Sequence, residues 1–220
     1  MNNNEIEYFL EKNLMDYPLS ISLMEKKVED IHKNKCKEFL WFLEHEDIYT
    51  AGTSAKSEDL LEPNKFKVYK TNRGGQYTYH GPGQRIVYVM LDLRKNGYDI
   101  KGFITLLENW IISSFKAIGV IAINDKDHVG IWVEDKNRLN KIASIGLRVR
   151  KGITFHGISI NINPNLENFK GINPCGKNPS AVTSIKELGL NKKIKEFDNL
   201  LIENFEKTFK AKLKVRETLK

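Results

Sequence analysis

Cysteine is nearly absent from this chain: its 220 residues hold two, Cys36 and Cys175. Two thiols cannot build the disulfide framework of a small secreted domain. No apolar run reaches the roughly 18 residues that a membrane-spanning helix needs. The opening Met1-Asn-Asn-Asn-Glu-Ile-Glu has neither the basic nor the apolar region of a secretory signal. These absences lead to the expectation of a reducing cytoplasm and no membrane. Also lacking are zinc-ligand spacings, the aromatic signature of RNA-binding modules and any block of five consecutive basic residues. Nucleic acid is therefore not an expected partner, despite a net charge of +7. Most of that excess is C-terminal, where residues 177–220 carry 11 basic and 6 acidic side chains. A lysine-rich solvated helix face accounts for it. No internal repeat or low-complexity tract interrupts the chain.

What the sequence does have is the apolar share of an ordinary folded protein, 40% of its residues. The length suits one domain over residues 1–220. Apolar spacing predicts helices over Tyr17 to Asn34, Asp99 to Ile118 and Lys192 to Leu213, the second carrying Ile100, Ile104, Leu107, Ile111 and Phe115 on one side. Strands are expected at Cys36–Leu43, Ile48–Thr50, Phe66–Tyr69, Val120–Ile123 and Val129–Glu134. Arg85 to Leu93 is apolar almost without a break, which predicts a strand buried on both faces. Glu44-His45-Glu46-Asp47 reads as a polar turn, because its spacing matches no usual metal-ligand set. His128 also reads as a turn residue. Ser184-Ile-Lys-Glu187 has the form of a capping box opening a short helix.

Two stretches carry chemistry. Arg73-Gly-Gly-Gln-Tyr-Thr-Tyr-His80-Gly-Pro-Gly-Gln84 packs four glycines and a proline into twelve residues, the mark of a shaped loop whose amides can meet a ligand. It matches neither a phosphate-binding P-loop nor a dinucleotide fingerprint. The second runs from Lys141 to Gly176 and reads as strands ending in Pro174-Cys175-Gly176. A proline and a glycine frame Cys175 on a stiff, uncrowded turn, which makes it a nucleophile candidate. A thiol titrates near 8.5 on its own and reacts as the thiolate, which a nearby lysine favours. Lys141 could supply that charge if antiparallel strands bring it back. On position alone it reads as one more solvated lysine in a lysine-rich chain.

Together these blocks resemble the lipoyl(octanoyl) transferase family, also called lipoate-protein ligase B. The similarity rests on Arg73 to Gln84, Gly130-Ile-Trp-Val133, Lys141-Ile-Ala-Ser-Ile-Gly146, His156-Gly157, Asn161-Ile-Asn163, Phe169, Ile172-Asn-Pro-Cys-Gly176 and Thr183 to Leu188. Glu44-His45 and Tyr49-Thr50 add to it, and it spans residues 15 to 215 or so. The resemblance implies an α/β (α+β) fold, a mixed β-sheet with packed helices like that of the biotin and lipoate protein ligases. It implies that an octanoyl group passes from octanoyl-acyl carrier protein to a thioester on Cys175. From there it passes to a lysine of the apo-lipoyl domains of 2-oxoacid dehydrogenases or of the glycine-cleavage H protein. Lys141 would lower the thiol pKa. Substrate contacts would come from Arg73, Gly74, Gly75, Gln76, Tyr77, Thr78, Tyr79 and His80, from Ser144, Ile145 and Gly146, and from Gly157, Ile158 and Ser159. The family reaction requires no metal and no cofactor. Ser159 stands where the family commonly has alanine, and Asn165, at a helix cap, where it commonly has aspartate. Residues before about Glu11 fall outside the resemblance and are expected to be disordered.

Three other readings remain open on the sequence. An ATP-dependent lipoate or biotin ligase of the same fold would not need Cys175. A hydrolase pairing Cys175 with His156 or His80 would release free octanoate. A basic nucleic-acid module would bind in a salt-sensitive way, indifferent to Cys175.

Overall fold

The structure, a computed structural model, describes residues 5–125, 129–135, 137–174 and 182–219. The chain opens with strand β1 (Glu5–Met15) and helix α1 (Tyr17–His32), followed by β2 (Phe39–His45) and β3 (Ile48–Ala51). Strands β4 (Lys67–Lys70), β5 (Tyr77–His80) and β6 (Gln84–Met90) come next. A short helix α2 (Leu93–Asn96) and the long α3 (Ile100–Lys116) lead to β7 (Ala122–Asn124), β8 (Ile131–Asp135), β9 (Arg138–Arg150) and β10 (Ile153–Asn161). Helix α4 (Ile194–Phe209) and β11 (Lys212–Val215) complete it. Among the described residues the strands form an eight-stranded mixed sheet, in the order β11-β1-β2-β6-β10-β9-β8-β7, and a three-stranded sheet, β4-β3-β5.

The two central strands explain how the helices pack. Successive residues of a strand face opposite sides of the sheet. In β2 and β6, Leu40, Phe42, Val87 and Val89 join Trp110, Phe197 and Phe205 in a core with α3 and α4. Their neighbours Phe39, Trp41, Leu43, Ile86, Tyr88 and Met90 meet Met24, Val28 and Ile31 of α1 on the other side. The unbroken apolar run at Ile86–Leu91 is thus buried on both faces, as expected. The helix starts are also fixed locally. Asp16 accepts from Leu19 N at 2.9 Å and Asp99 from Gly102 N at 2.6 Å, each satisfying a first-turn donor.

Several expectations change. Residues 5–15, the first of them expected to be disordered, form β1, which pairs in parallel with β2 on one side and β11 on the other. The last helix ends at Phe209, because Lys210 turns left-handed at φ 51°, and the chain leaves as β11. Glu44 and His45 belong to β2, and His45 is fully buried instead of sitting in a polar turn. Within the glycine-rich stretch, Tyr77–His80 is a strand paired antiparallel to β3. Ser184 Oγ does cap Glu187 N at 3.1 Å, but a turn follows it and no helix. His128 and Cys175 lie outside the described residues.

Candidate active site

A cavity of about 450 Å³ extends from the α1 side of the sheet, where Tyr17, Ile86 and Tyr88 line it, past β9, β10 and the smaller sheet to Ile100 and Ile104 of α3. Its floor follows from strand register. Gly157 of β10 pairs with Gly146 of β9 and with Tyr88 of β6. One row along, Ser159 pairs with Ser144 and Ile86. Two adjacent glycines therefore leave a groove in the sheet. The Arg73 side chain fills part of it, since a Cβ added to Gly146 would lie 3.0 Å from Arg73 Cδ. Gly157 has no spare room either: a Cβ there would meet the Val87 carbonyl oxygen at 2.0 Å. Gly157→Ala is accordingly expected to cost roughly 1–3 kcal/mol through forced strand displacement. A urea titration that shows no loss would contradict this.

Arg73 reaches back from the groove to hold the loop beside it. Its Nη2 donates to the Thr50 carbonyl and hydroxyl, both at 2.8 Å, and to the Gln76 carbonyl at 3.0 Å. Its Nη1 donates to the Gly74 carbonyl at 3.0 Å. Burial pulls the guanidinium down to about 10, still protonated at neutral pH.

Three histidines lie on the same side. His45 contacts the Met15 carbonyl through Nδ1 at 2.7 Å and the Tyr88 hydroxyl through Nε2 at 2.8 Å. His80 Nδ1 is 2.7 Å from Gln84 Oε1. His156 stacks on Phe155 with ring centroids 5.0 Å apart. Burial lowers His45 to about 4 and His80 and His156 to about 3, so all three are neutral at pH 7. They are poor general bases in this state.

Lys141 also lines the cavity. Its Nζ donates to the Val129 carbonyl at 3.2 Å and lies 4.7 Å from the centre of the Trp132 ring. Its carbonyl accepts from Thr183 N at 2.9 Å, and its strand bridges to Val182. On the other side of the undescribed segment, Asn173 N donates to the Asp59 carbonyl at 2.8 Å, and Pro174 lines the cavity. The two described flanks of Cys175 are thus both tied down at this site.

Of the fourteen sequence-predicted substrate positions, thirteen line the cavity: Arg73 to Thr78, His80, Ser144 to Gly146 and Gly157 to Ser159. Tyr79 is the exception. Strand alternation turns it away from its neighbours Thr78 and His80, so its hydroxyl donates to Asp47 Oδ1 at 2.5 Å and its ring packs on Phe169. Sequence reasoning missed Tyr17, Tyr88, Ile104 and Arg148 in the lining. Tyr88 shares a face of β6 with Ile86, which also lines the cavity, but no motif in the sequence pointed to either.

Comparison with known proteins decides the family. The model for the lipoyl protein ligase A/B catalytic domain matches residues 16–206. The chain belongs to that family. Among curated relatives, octanoyltransferase of Ehrlichia chaffeensis is 46% identical over 210 residues, covering 95% of this chain and 98% of the relative. Octanoyltransferase of Zymomonas mobilis is 46% identical over 202 residues, covering 92% and 94%. Among solved structures, the bipartite lipoate protein ligase of Thermoplasma acidophilum superposes with a TM-score of 0.73 at 18% identity, covering 97% of this chain and 86% of that one. At that identity the likeness speaks for the fold alone. It is the mixed-sheet lipoyl ligase fold that the sequence led one to expect.

Proposed function

We propose that this member of the lipoyl protein ligase A/B family transfers an octanoyl group from octanoyl-acyl carrier protein to a lysine of an apo-lipoyl domain, through a thioester on Cys175. Octanoyl transfer is the activity that its relatives' name carries, at 46% identity and nearly full length, and the matching family model is one of lipoyl protein ligases. The observation that carries the reading to individual residues is the cavity, where thirteen of the fourteen expected acyl-site positions meet Lys141 and Pro174. Cys175 is the covalent neighbour of Pro174.

In the first step the Cys175 sulfur attacks the acyl carbon, a new C–S bond forms, and the C–S bond to the carrier breaks as its thiol leaves. In the second, the acceptor amine forms a C–N bond to the same carbon, and the Cys175 sulfur leaves and regains a proton. Exchange between thioesters is nearly isoenergetic and amide formation is downhill, so the reaction needs no nucleotide. The covalent intermediate divides one difficult transfer into two easier ones. Lys141 favours the thiolate by its charge. Partners of this chemistry are an acidic carrier, suited to a basic exterior, and lipoyl domains of 2-oxoacid dehydrogenases and glycine-cleavage H protein. The compartment is the cytoplasm. Among the described residues no helix is long and apolar enough to cross a membrane.

The test is the intact mass of the protein after incubation with octanoyl-acyl carrier protein and no ATP. Wild type is expected to gain one octanoyl group, released by hydroxylamine. Cys175→Ser is expected to gain none, and Lys141→Ala to load on the order of tenfold more slowly at neutral pH. A wild type that loads only with ATP and free octanoate would replace this reading with the ligase.

A further inference from the structure

A chain of buried side-chain amides runs from the cavity wall to the segment bridged to Lys141, and its polarity is fixed at both ends. Asn161 Nδ2 lies 3.0 Å from the Thr183 carbonyl. A carbonyl only accepts, so this nitrogen donates and Asn161 Oδ1 is left as an acceptor. Gln84 Nε2 lies 2.9 Å from that Oδ1 and 3.3 Å from the Tyr79 carbonyl, a second group that only accepts. Both contacts demand the same orientation of the Gln84 amide. Gln84 Oε1 then faces His80 Nδ1 at 2.7 Å, and the ring nitrogen must carry the hydrogen. The other ring nitrogen, Nε2, keeps its lone pair and has no hydrogen-bond partner among the described residues, while the ring lines the cavity.

We propose that Gln84 and Asn161 are positioning residues that lock His80 in its Nδ1–H tautomer, so that Nε2 offers the cavity a neutral acceptor for an N–H of the substrate. Resting on the octanoyl-transfer reading, the donor can be named. An octanoyl chain and its thioester carbonyl carry no such hydrogen, whereas the primary amine that receives the acyl group does. An N–H of that amine donating to Nε2 orients its lone pair towards the acyl carbon. Loading of the enzyme by the acyl donor makes no use of this contact. The relay also ends on Thr183, whose amide is bonded to Lys141, so acceptor and cation share one rigid frame.

The first measurement is ¹⁵N–¹H long-range correlation of ring-labelled histidine in the full-length wild type at pH 7. The expected pattern for His80 is a protonated Nδ1 and an unprotonated Nε2. An Nε2–H pattern overturns the proposal without any variant. The second compares octanoyl loading with transfer to a primary amine, by intact mass, in wild type, Gln84→Met and Gln84→Glu. In the buried site the carboxyl introduced by Gln84→Glu, once protonated, can donate to Asn161 and accept from His80, as the amide does. Gln84→Met is expected to mix the tautomers and slow transfer about tenfold, the worth of one hydrogen bond, with loading within about twofold. Gln84→Glu is expected to recover tautomer and transfer rate together. Equal slowing of loading and transfer in Gln84→Met overturns the proposal. A wild type that never loads defeats the octanoyl reading instead, and the tautomer spectrum still decides the relay.

Discussion

Replacing Asp198 by alanine is expected to lower the stability of the fold by about 3–5 kcal/mol. Asp198 of α4 and Arg85 of β6 are both buried, and the carboxylate accepts two parallel bonds, from Nε at 2.8 Å and Nη2 at 2.9 Å. Burial pushes the Asp198 carboxyl up to about 6 while Arg85 beside it works the other way, so the pair is ionised at pH 7.5. Arg85 Nη1 already lacks a hydrogen-bond partner among the described residues. Without Asp198 the guanidinium would lose the carboxylate that accepts from it, in a place water does not reach. The cost would come from stranding a charge, since an intact buried pair contributes little over apolar side chains of the same size. The double replacement Arg85→Met with Asp198→Leu is therefore expected to regain most of what Asp198→Ala loses. Urea titrations at pH 7.5 measure both. A loss below about 1 kcal/mol for Asp198→Ala would mean that the arginine finds water or another acceptor. Because Arg85 sits on the strand that carries Ile86 and Tyr88 into the cavity, the single variant should also weaken substrate binding.

Lowering the pH from 7.5 to 5 is expected to destabilise the wild type through its three buried histidines. The unfolded chain titrates them near 6.5, whereas the folded chain holds them down, His45 at about 4 and His80 and His156 at about 3. Below 6.5 the unfolded state therefore binds more protons than the folded one, and stability rises with pH. The full contribution is present above 6.5 and drains away as the pH falls towards the folded values. By pH 5 each histidine costs about 2 kcal/mol. Carboxylates that the fold holds low, such as Asp92 beside Arg94, lose their contribution only at more acid pH. Between 7.5 and 5 the imidazoles dominate: Asp198, which the fold holds at about 6, takes up a proton there in the folded state and offsets only part of their loss. Urea midpoints that stay level across this window would show that the rings meet protons in the folded state. Substituting His45, whose ring lies 6.0 Å from that of His80, should flatten the slope.

Local signals made the helices and central strands legible. The apolar stripe of α3 and its Asp99 cap marked an element expected at residues 99–118 and found at Ile100–Lys116. For α1 the reading ran to Asn34 and the helix stops at His32. What escaped were elements whose partners are far away in sequence. β1 mixes charged and apolar residues, and only β2 and β11 give it a place. The C-terminal helix read too far because its left-handed stop is Lys210, where a glycine would have announced it. His45 looked like a polar turn because three carboxylates surround it in sequence; in the fold it points to Met15 and Tyr88. The cavity lining was legible as a set of motifs. Its floor was not, because the pairing of Gly146 with Gly157 depends on the register of a hairpin.

The parallel pairing of β1 with β11 also sets an order of events. Glu5 pairs with Lys212 and Tyr8 with Val215, so one edge of the main sheet is sewn from opposite ends of the chain. A ribosome adding roughly 5–20 residues each second would keep β1 waiting about ten seconds or more for that partner. Meanwhile the outer rim of β1 would carry open backbone donors and acceptors, the template on which strands of other chains pair. The charged side chains Glu5, Glu7, Glu11 and Lys12 along this strand are of the kind that disfavours such pairing while the rim is open.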